Sequence, residues 1–279
     1  MYSHLNNQEG TESTGLTAFT DNGFTTGAGG WVNTDDDTYV AWAWDTGTAA
    51  ASTSNSGSAT NYTRWTNATA GFSVIKATIS TGSGYHQKTV DHGLGVPPEF
   101  IIGKGLDAAE DWLVYHSSIG TAGVLNLNDT GASDTSTSWK YTATSNSQFT
   151  FDSYGAATNM IYYVWAPIAG YSAFGSYEGN TNANGPFVYT GFQPRYLLLK
   201  SADGAYDWHI MDTTRNPSNG TSSLRLKPNT NAAEVTGSVV VADLLSNGFK
   251  IRNDDYNWNL NTILYMAFAE HPFKTSRAR

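Results

Sequence analysis

Short apolar stretches alternate with polar turns along the whole chain. Phe72-Ser73-Val74-Ile75, Phe100-Ile101-Ile102, Trp112-Leu113-Val114-Tyr115, Val124-Leu125-Asn126-Leu127, Phe149-Thr150-Phe151 and Ile161-Tyr162-Tyr163-Val164-Trp165 are rich in β-branched and aromatic residues. Turn formers bound them at intervals of roughly 8–12 residues, the spacing of sandwiches and barrels. Helical periodicity is nearly absent. Ala232 to Leu245, where Asp243-Leu244-Leu245-Ser246 precedes a turn at Asn247-Gly248, leaves room for one helical turn. The pattern predicts an all-β chain, with roughly eight strands per unit closing into two-sheet β-sandwiches of jelly-roll or lectin-like type.

The pattern also repeats. Asp21-Asn22-Gly23-Phe24 leads to Tyr39-Val40-Ala41-Trp42-Ala43; Asn146-Ser147-Gln148-Phe149 leads to Tyr162-Tyr163-Val164-Trp165-Ala166; Ser246-Asn247-Gly248-Phe249 leads to Tyr265-Met266-Ala267-Phe268-Ala269. Upstream, Pro98-Glu99-Phe100-Ile101-Ile102-Gly103-Lys104 is answered by Pro194-Arg195-Tyr196-Leu197-Leu198-Leu199-Lys200. Asp111-Trp112 is answered by Asp207-Trp208, and Leu125-x-Leu127 by Leu224-x-Leu226. The offset is 99 from Gly71 to Gly170, 96 from Pro98 to Pro194 and 103 from Tyr162 to Tyr265, so the copies differ by small loop insertions.

A period near one hundred residues means tandem domains. The expected organisation is a partial repeat at 1–47 holding the closing strands of a unit, a Ser/Thr/Asn-rich linker at 48–70, and complete repeats at 71–169 and 170–279. A partial sandwich cannot bury its own apolar face and leaves strand edges unpaired. The first 47 residues are therefore expected to belong to a longer protein, or to dock on a neighbouring domain or subunit. Trp65 is expected to pin the linker to a domain.

Apolar residues at 39% and aromatics at 13% suffice for a real core, whereas charged residues are only 14%. A net charge of −9 argues against nucleic acid, which needs clustered Lys and Arg; the short basic end from Lys274 to Arg279 changes little. The absence of cysteine removes disulfides and thiolate metal sites. Met1 to Gly15 is polar and carries no export signal, and no apolar run approaches the ~20 residues of a membrane span. Membrane insertion is not expected.

Few residues point to chemistry. Asp111-Trp112 and Asp207-Trp208 read either as sugar-stacking tryptophans beside carboxylates or as core tryptophans with a satisfied indole, and their recurrence favours the core. Asp35-Asp36-Asp37 and Asp254-Asp255 read as one loop in the first and third copies. Calcium would want such oxygens, but the second copy has Tyr154-Gly155-Ala156-Ala157 there, so no metal site and no cofactor is expected. The same loop supplies aromatics: Trp31, Tyr154, Tyr256 and Trp258. Variable loops on a rigid scaffold commonly carry recognition, so Tyr256, Trp258, Asp254, Asp255, Tyr154 and Trp31 are the candidate ligand-binding residues; the alternative is that the aromatics cover a sandwich end or a subunit contact. His86, His92, His116, His209 and His271 are scattered, and no nucleophile or nucleotide motif occurs. No enzymatic activity is expected, although paired glycosidase carboxylates need no sequence motif.

Gly71-Phe72-Ser73-Val74-Ile75, His92-Gly93-Leu94-Gly95-Val96-Pro97-Pro98, Trp112-Leu113-Val114-Tyr115-His116-Ser117-Ser118, Phe174-Gly175-Ser176-Tyr177-x-Gly179-Asn180, Gly185-Pro186-Phe187-Val188-Tyr189-Thr190-Gly191-Phe192 and Tyr265-Met266-Ala267-Phe268-Ala269-Glu270-His271-Pro272-Phe273 resemble a tandem β-repeat of virion proteins from tailed marine and environmental phages. The resemblance runs from Leu16 to the C-terminus and is to large, tail-fibre-like proteins. It implies a structural or adhesive exterior virion component, assembled in the host cytoplasm, that contacts other virion proteins. A tail fibre or receptor-binding protein is the first expectation, forming a homo-oligomer such as a trimer and facing host surface glycans. A purely structural decoration protein is the second, and a glycan depolymerase the third.

Overall fold

Alternation along a strand decides which core each side chain enters. The computed structural model describes residues 1–79, 84–154, 158–220 and 222–270. Gly155 to Ala157 and His271 to Arg279, used above for the second-copy loop and the chain end, lie outside the described residues. The first copy contains β1 (Leu16–Thr20), β2 (Gly23–Thr26) and one helical turn, α1 (Gly30–Asn33). Then follow β3 (Thr60–Asn67), β4 (Phe72–Thr78), β5 (Tyr85–Asp91), β6 (Phe100–Gly105), β7 (Leu113–His116), β8 (Leu125–Asn126), β9 (Lys140–Thr144), β10 (Gln148–Tyr154) and β11 (Asn159–Trp165). The last copy holds β12 (Ser172–Glu178), β13 (Phe187–Tyr189), β14 (Pro194–Ser201), β15 (His209–Asp212), β16 (Ala242–Leu245), β17 (Gly248–Ile251), a second helical turn α2 (Tyr256–Asn259) and β18 (Thr262–Ala269). The chain is all-β, as the pattern predicts.

The strands form antiparallel sheets ordered β3-β4-β11-β6-β7-β8, β5-β10-β9, β12-β18-β14-β15, β13-β17-β16 and the separate hairpin β1-β2. Tyr162, Val164, Ile75 and Ile101 of the six-stranded sheet share one core with Val90, Phe149 and Phe151 of its three-stranded partner. Leu197, Leu199 and Ile263 share another with Val188 and Phe249. A third core lies between the six- and four-stranded sheets, where Phe72, Phe100 and Trp165 meet Phe174, Tyr196, Trp208 and Phe268. Both central sheets are thus covered on both faces. That is why Thr262–Ala269 reads as an unbroken apolar run rather than an alternating one. The His116 Nε2–H donates to the Tyr265 carbonyl at 3.1 Å across this third core.

Four expectations need correction. The stretch taken as a linker contains β3, which pairs with β4 and sends Tyr62 into the core. Its other side chains face solvent or are half-buried, so an edge strand carries a linker's composition. Trp65 is itself exposed. Ala232 to Leu245 holds no helical turn and instead ends in β16, because Leu244 is needed opposite Phe249. Tyr39 to Ala43 does not form the first copy's closing strand: no sheet is present there to pair with it. Instead Trp42 and Trp44 pack edge-on against Tyr196, and Trp44 also against Trp165 and Phe268, so this segment docks within the chain on both complete units. Finally, Ile210 pairs with Leu226 as Val114 pairs with Leu125, so the copies align at Leu125 and Leu226 rather than Leu224. A two-residue shift preserves the facing of every side chain and leaves the apolar pattern unchanged.

Candidate functional site

The Asn128 side-chain amide donates to Asp111 Oδ1 at 2.8 Å, while its oxygen accepts the Trp112 N–H at 2.8 Å. In the second unit Asn229 does the same, donating to Asp207 Oδ1 at 2.8 Å and accepting from the Trp208 N–H at 3.1 Å. Each carboxylate thus fixes an asparagine that fixes the strand entering the core. Both tryptophans are buried, with the indole N–H spent on a backbone carbonyl: Trp112 on Tyr2 and Leu5, Trp208 on Asn126. They are packing residues, as their recurrence suggests.

Sequence reasoning aligned Lys104 with Lys200 but gave them no role. Both are fully buried. Lys104 donates to the carbonyls of Gly105 at 2.8 Å and Asn6 at 3.3 Å; Lys200 donates to those of Thr130, Gly204 and Tyr206 at 3.0–3.2 Å. Burial pushes the Lys200 ammonium down to about 8, against the opposing pull of Asp129 and Asp207. Residues 2–6 do for the first unit what Asn126 to Thr130 do for the second: each places carbonyls over a Lys-Trp pair. A lysine closing an apolar run at one place in both copies was the available signal.

His92 and His116 are equally committed. His92 and His116 donate from Nε2 to the carbonyls of Ser145 and Tyr265, at 3.0 and 3.1 Å, and accept at Nδ1 from the N–H groups of Leu94 and Ser118. Gly93 permits the first of these turns: its φ is 72°, and a Cβ there would meet Arg64 Cζ at 2.6 Å. Among the described residues no group of three His, Cys, Asp or Glu is placed to hold a metal ion.

The six candidate ligand residues do not gather. Counting back from the closing segments, 39 to 265 is an offset of 226, which carries α1 at 30–33 onto α2 at 256–259. The acidic residues then fall on opposite ends: Asp35-Asp36-Asp37 follow α1, whereas Asp254-Asp255 precede α2, and the loops are not equivalent. Asp255 caps α2 by accepting the Asn257 N–H at 2.9 Å. Trp258 is only 2% exposed, edge-on to His209 with the Arg225 guanidinium over its ring, so it is packing and not ligand binding. Trp31, Tyr154 and Tyr256 are exposed. Trp258→Ala is therefore expected to cost about 3–5 kcal/mol and Tyr256→Ala less than ~0.5 kcal/mol, as read by urea denaturation; equal losses would contradict the assignment.

Tyr154 is tied through its backbone carbonyl to Trp139, which lines a cleft. The Trp139 indole donates to the Tyr154 carbonyl at 2.6 Å and stands edge-on to Phe151. Beside it the first unit opens a cleft of about 440 Å³ lined by Glu110, Asp111, Asn126, Asp129, Asp134 and Trp139. Asn126 donates to Asp129 at 2.9 Å, and the Gly131 N–H to the other Asp129 oxygen at 2.7 Å. The N–H and hydroxyl of Ser136 hold the Asp134 carboxyl below its usual range. The lining offers acceptors and an indole, and it repels anions. Glu110, Asp129, Asp134 and Trp139 bring their side chains to it from loops, with Asn126 at the end of β8, whereas the sequence points only to loops preceding closing strands.

The chain belongs to the family described as a domain of unknown function, DUF7483, whose model matches residues 1–272, through the partial copy and both units. No curated protein and no solved structure matches it.

Proposed function

We propose that this protein is a structural and adhesive component of a phage particle's exterior, each pair of facing sheets acting as a sandwich-like scaffold unit, with the first-unit cleft binding a neutral, hydroxyl-rich glycan. One observation carries the reading: polar residues that recur in both units, Asp111 of the cleft among them, are consumed by packing, whereas Glu110, Asp129, Asp134 and Trp139 of the same cleft do not recur. At the Glu110 position, for example, the second unit has Tyr206. Carboxylates accept hydrogen bonds from sugar hydroxyls, and an indole face stacks on the apolar face of a pyranose. The family resemblance supplies the setting, a tail fibre or receptor-binding part facing host polysaccharide.

The test is titration with polysaccharide purified from a candidate host, followed by indole fluorescence. Trp139→Ala and Asp129→Asn are each expected to weaken binding about tenfold, or ~1.4 kcal/mol, with the fold retained by circular dichroism. Unchanged binding in both variants places recognition elsewhere. A second reading, depolymerase, draws on the same cleft because it brings several carboxylates together. Release of new reducing ends during the titration would favour that reading over adhesion alone.

A further inference from the structure

The hairpin β1-β2 is out of place in this fold. Every one of its residues is exposed, and Phe19 is 83% exposed. An isolated two-stranded hairpin is at best marginally stable in water. The other two copies build the same hairpin, β9-β10 and β16-β17, and each gives it a third strand. Phe149 lies opposite Val90 of β5, and Phe249 opposite Val188 of β13. Phe24 is the corresponding residue, and among the described residues nothing lies opposite it on that side. In β1-β2 the closing pair is Thr20 with Gly23, so the Phe24 N–H and C=O point away from β1.

A matching vacancy lies on the second unit. In the first unit the segment before β4 covers one whole side: β3 pairs with β4, and the N–H groups of Ser58 and Ala59 bond the Thr89 carbonyl on the outer edge of β5. The second unit has no such cover among the described residues, so β12 and β13 end their sheets. Val188 pairs with Phe249, which turns the N–H and C=O groups of Phe187 and Tyr189 outward. Their side chains are 46% and 68% exposed.

We propose that β2 of one copy pairs antiparallel with the outer edge of β13 of a second copy, with Phe24 opposite Tyr189. Two different surfaces meet in this contact, so it is heterologous, and copies close into a ring or extend into a filament. It gives the hairpin its third strand and covers the exposed side of the second unit. Cross-strand aromatic pairing adds to the backbone ladder.

The experiment is sedimentation of the full chain over a range of concentrations. Wild type should associate beyond its 30.1 kDa monomer. Phe24→Pro and Tyr189→Pro each remove one outward N–H while leaving the internal ladder intact, and each alone should be monomeric. Mixed one to one they should form a dimer and nothing larger, because each retains the surface its partner has lost. A wild type that stays monomeric throughout, variants that still associate, or a mixture that remains monomeric would overturn the proposal. Circular dichroism checks folding. If a proline variant unfolds, Phe24→Lys or Tyr189→Lys keeps the backbone and is judged by the same criteria.

Discussion

Trp208→Ala should lower the stability of the whole chain by about 4–5 kcal/mol, the upper end for loss of a buried aromatic. Trp208 is 1% exposed and lies in the core shared by the six- and four-stranded sheets. Truncation opens a cavity there, since neighbouring strands are pinned by their ladders and cannot collapse into it. It also orphans the Asn126 carbonyl, which accepts the indole N–H at 2.9 Å. An unsatisfied buried acceptor costs about 1–3 kcal/mol on its own. Trp208→Phe separates the two effects: it keeps most of the ring and loses the hydrogen bond, and should cost about 1–2 kcal/mol. Trp112 is the comparison. Its indole bonds the carbonyls of Tyr2 and Leu5, so Trp112→Ala should also release protection of the N-terminal residues in hydrogen exchange. Denaturant unfolding read by fluorescence measures the losses. A Trp208→Ala loss under ~1 kcal/mol would mean that the units are not held through this core.

Repetition was legible in the sequence because turn and strand residues are constrained in every copy. Asn247-Gly248-Phe249 and its counterparts fix a two-residue hairpin and place a phenylalanine in register, and the structure uses that phenylalanine twice as a core residue opposite a valine. Three things were not legible, each for a physical reason. An edge strand such as β3 presents polar side chains and resembles a linker, with only Tyr62 to mark it. Alignment of Leu125 with Leu224 or Leu226 cannot be decided by alternation, since both choices face the same way; the asparagines that hold Asp111 and Asp207 decide it in three dimensions. Whether an aromatic such as Trp258 is exposed depends on what folds over it, here His209 and Arg225 from distant parts of the chain. The cleft was missed for the same reason, as Glu110, Asp129, Asp134 and Trp139 come from loops and carry no spacing shared with the second unit.

Acidification from pH 7 to 4.5 should cost this fold about 5 kcal/mol through two histidines. Burial pulls both His116 and His209 down to about 4, and the unfolded chain titrates at the ordinary value near 6.5. Between those values the unfolded state binds more protons, so stability rises with pH and is lost as pH falls through the window. For a histidine shifted from 6.5 to about 4, the loss at pH 4.5 is about 2–3 kcal/mol, and the two add if they act independently. The cause is visible for His116. It is nearly inaccessible, its Nε2–H already serves the Tyr265 carbonyl, and its Nδ1 accepts from Ser118, so an added proton would face an N–H. At His209, Arg225 and Lys227 add positive charge that further disfavours protonation, partly offset by Asp207 and by the Asn257 side chain. His92, with the same wiring as His116, is also lowered and adds to the loss. Burial raises the Glu99 carboxyl, which takes up a proton more readily in the folded chain and works in the opposite direction near its own titration. Urea midpoints at pH 7 and 4.5 measure the slope. His116→Gln should reduce the difference by about half, since its amide can still reach a carbonyl but does not titrate. A slope unchanged in that variant would remove His116 from the account. Because His116 reaches from one unit to a carbonyl of the other, hydrogen exchange at Tyr265 and its β18 neighbours should rise before that of β10, as the inter-unit core loosens first.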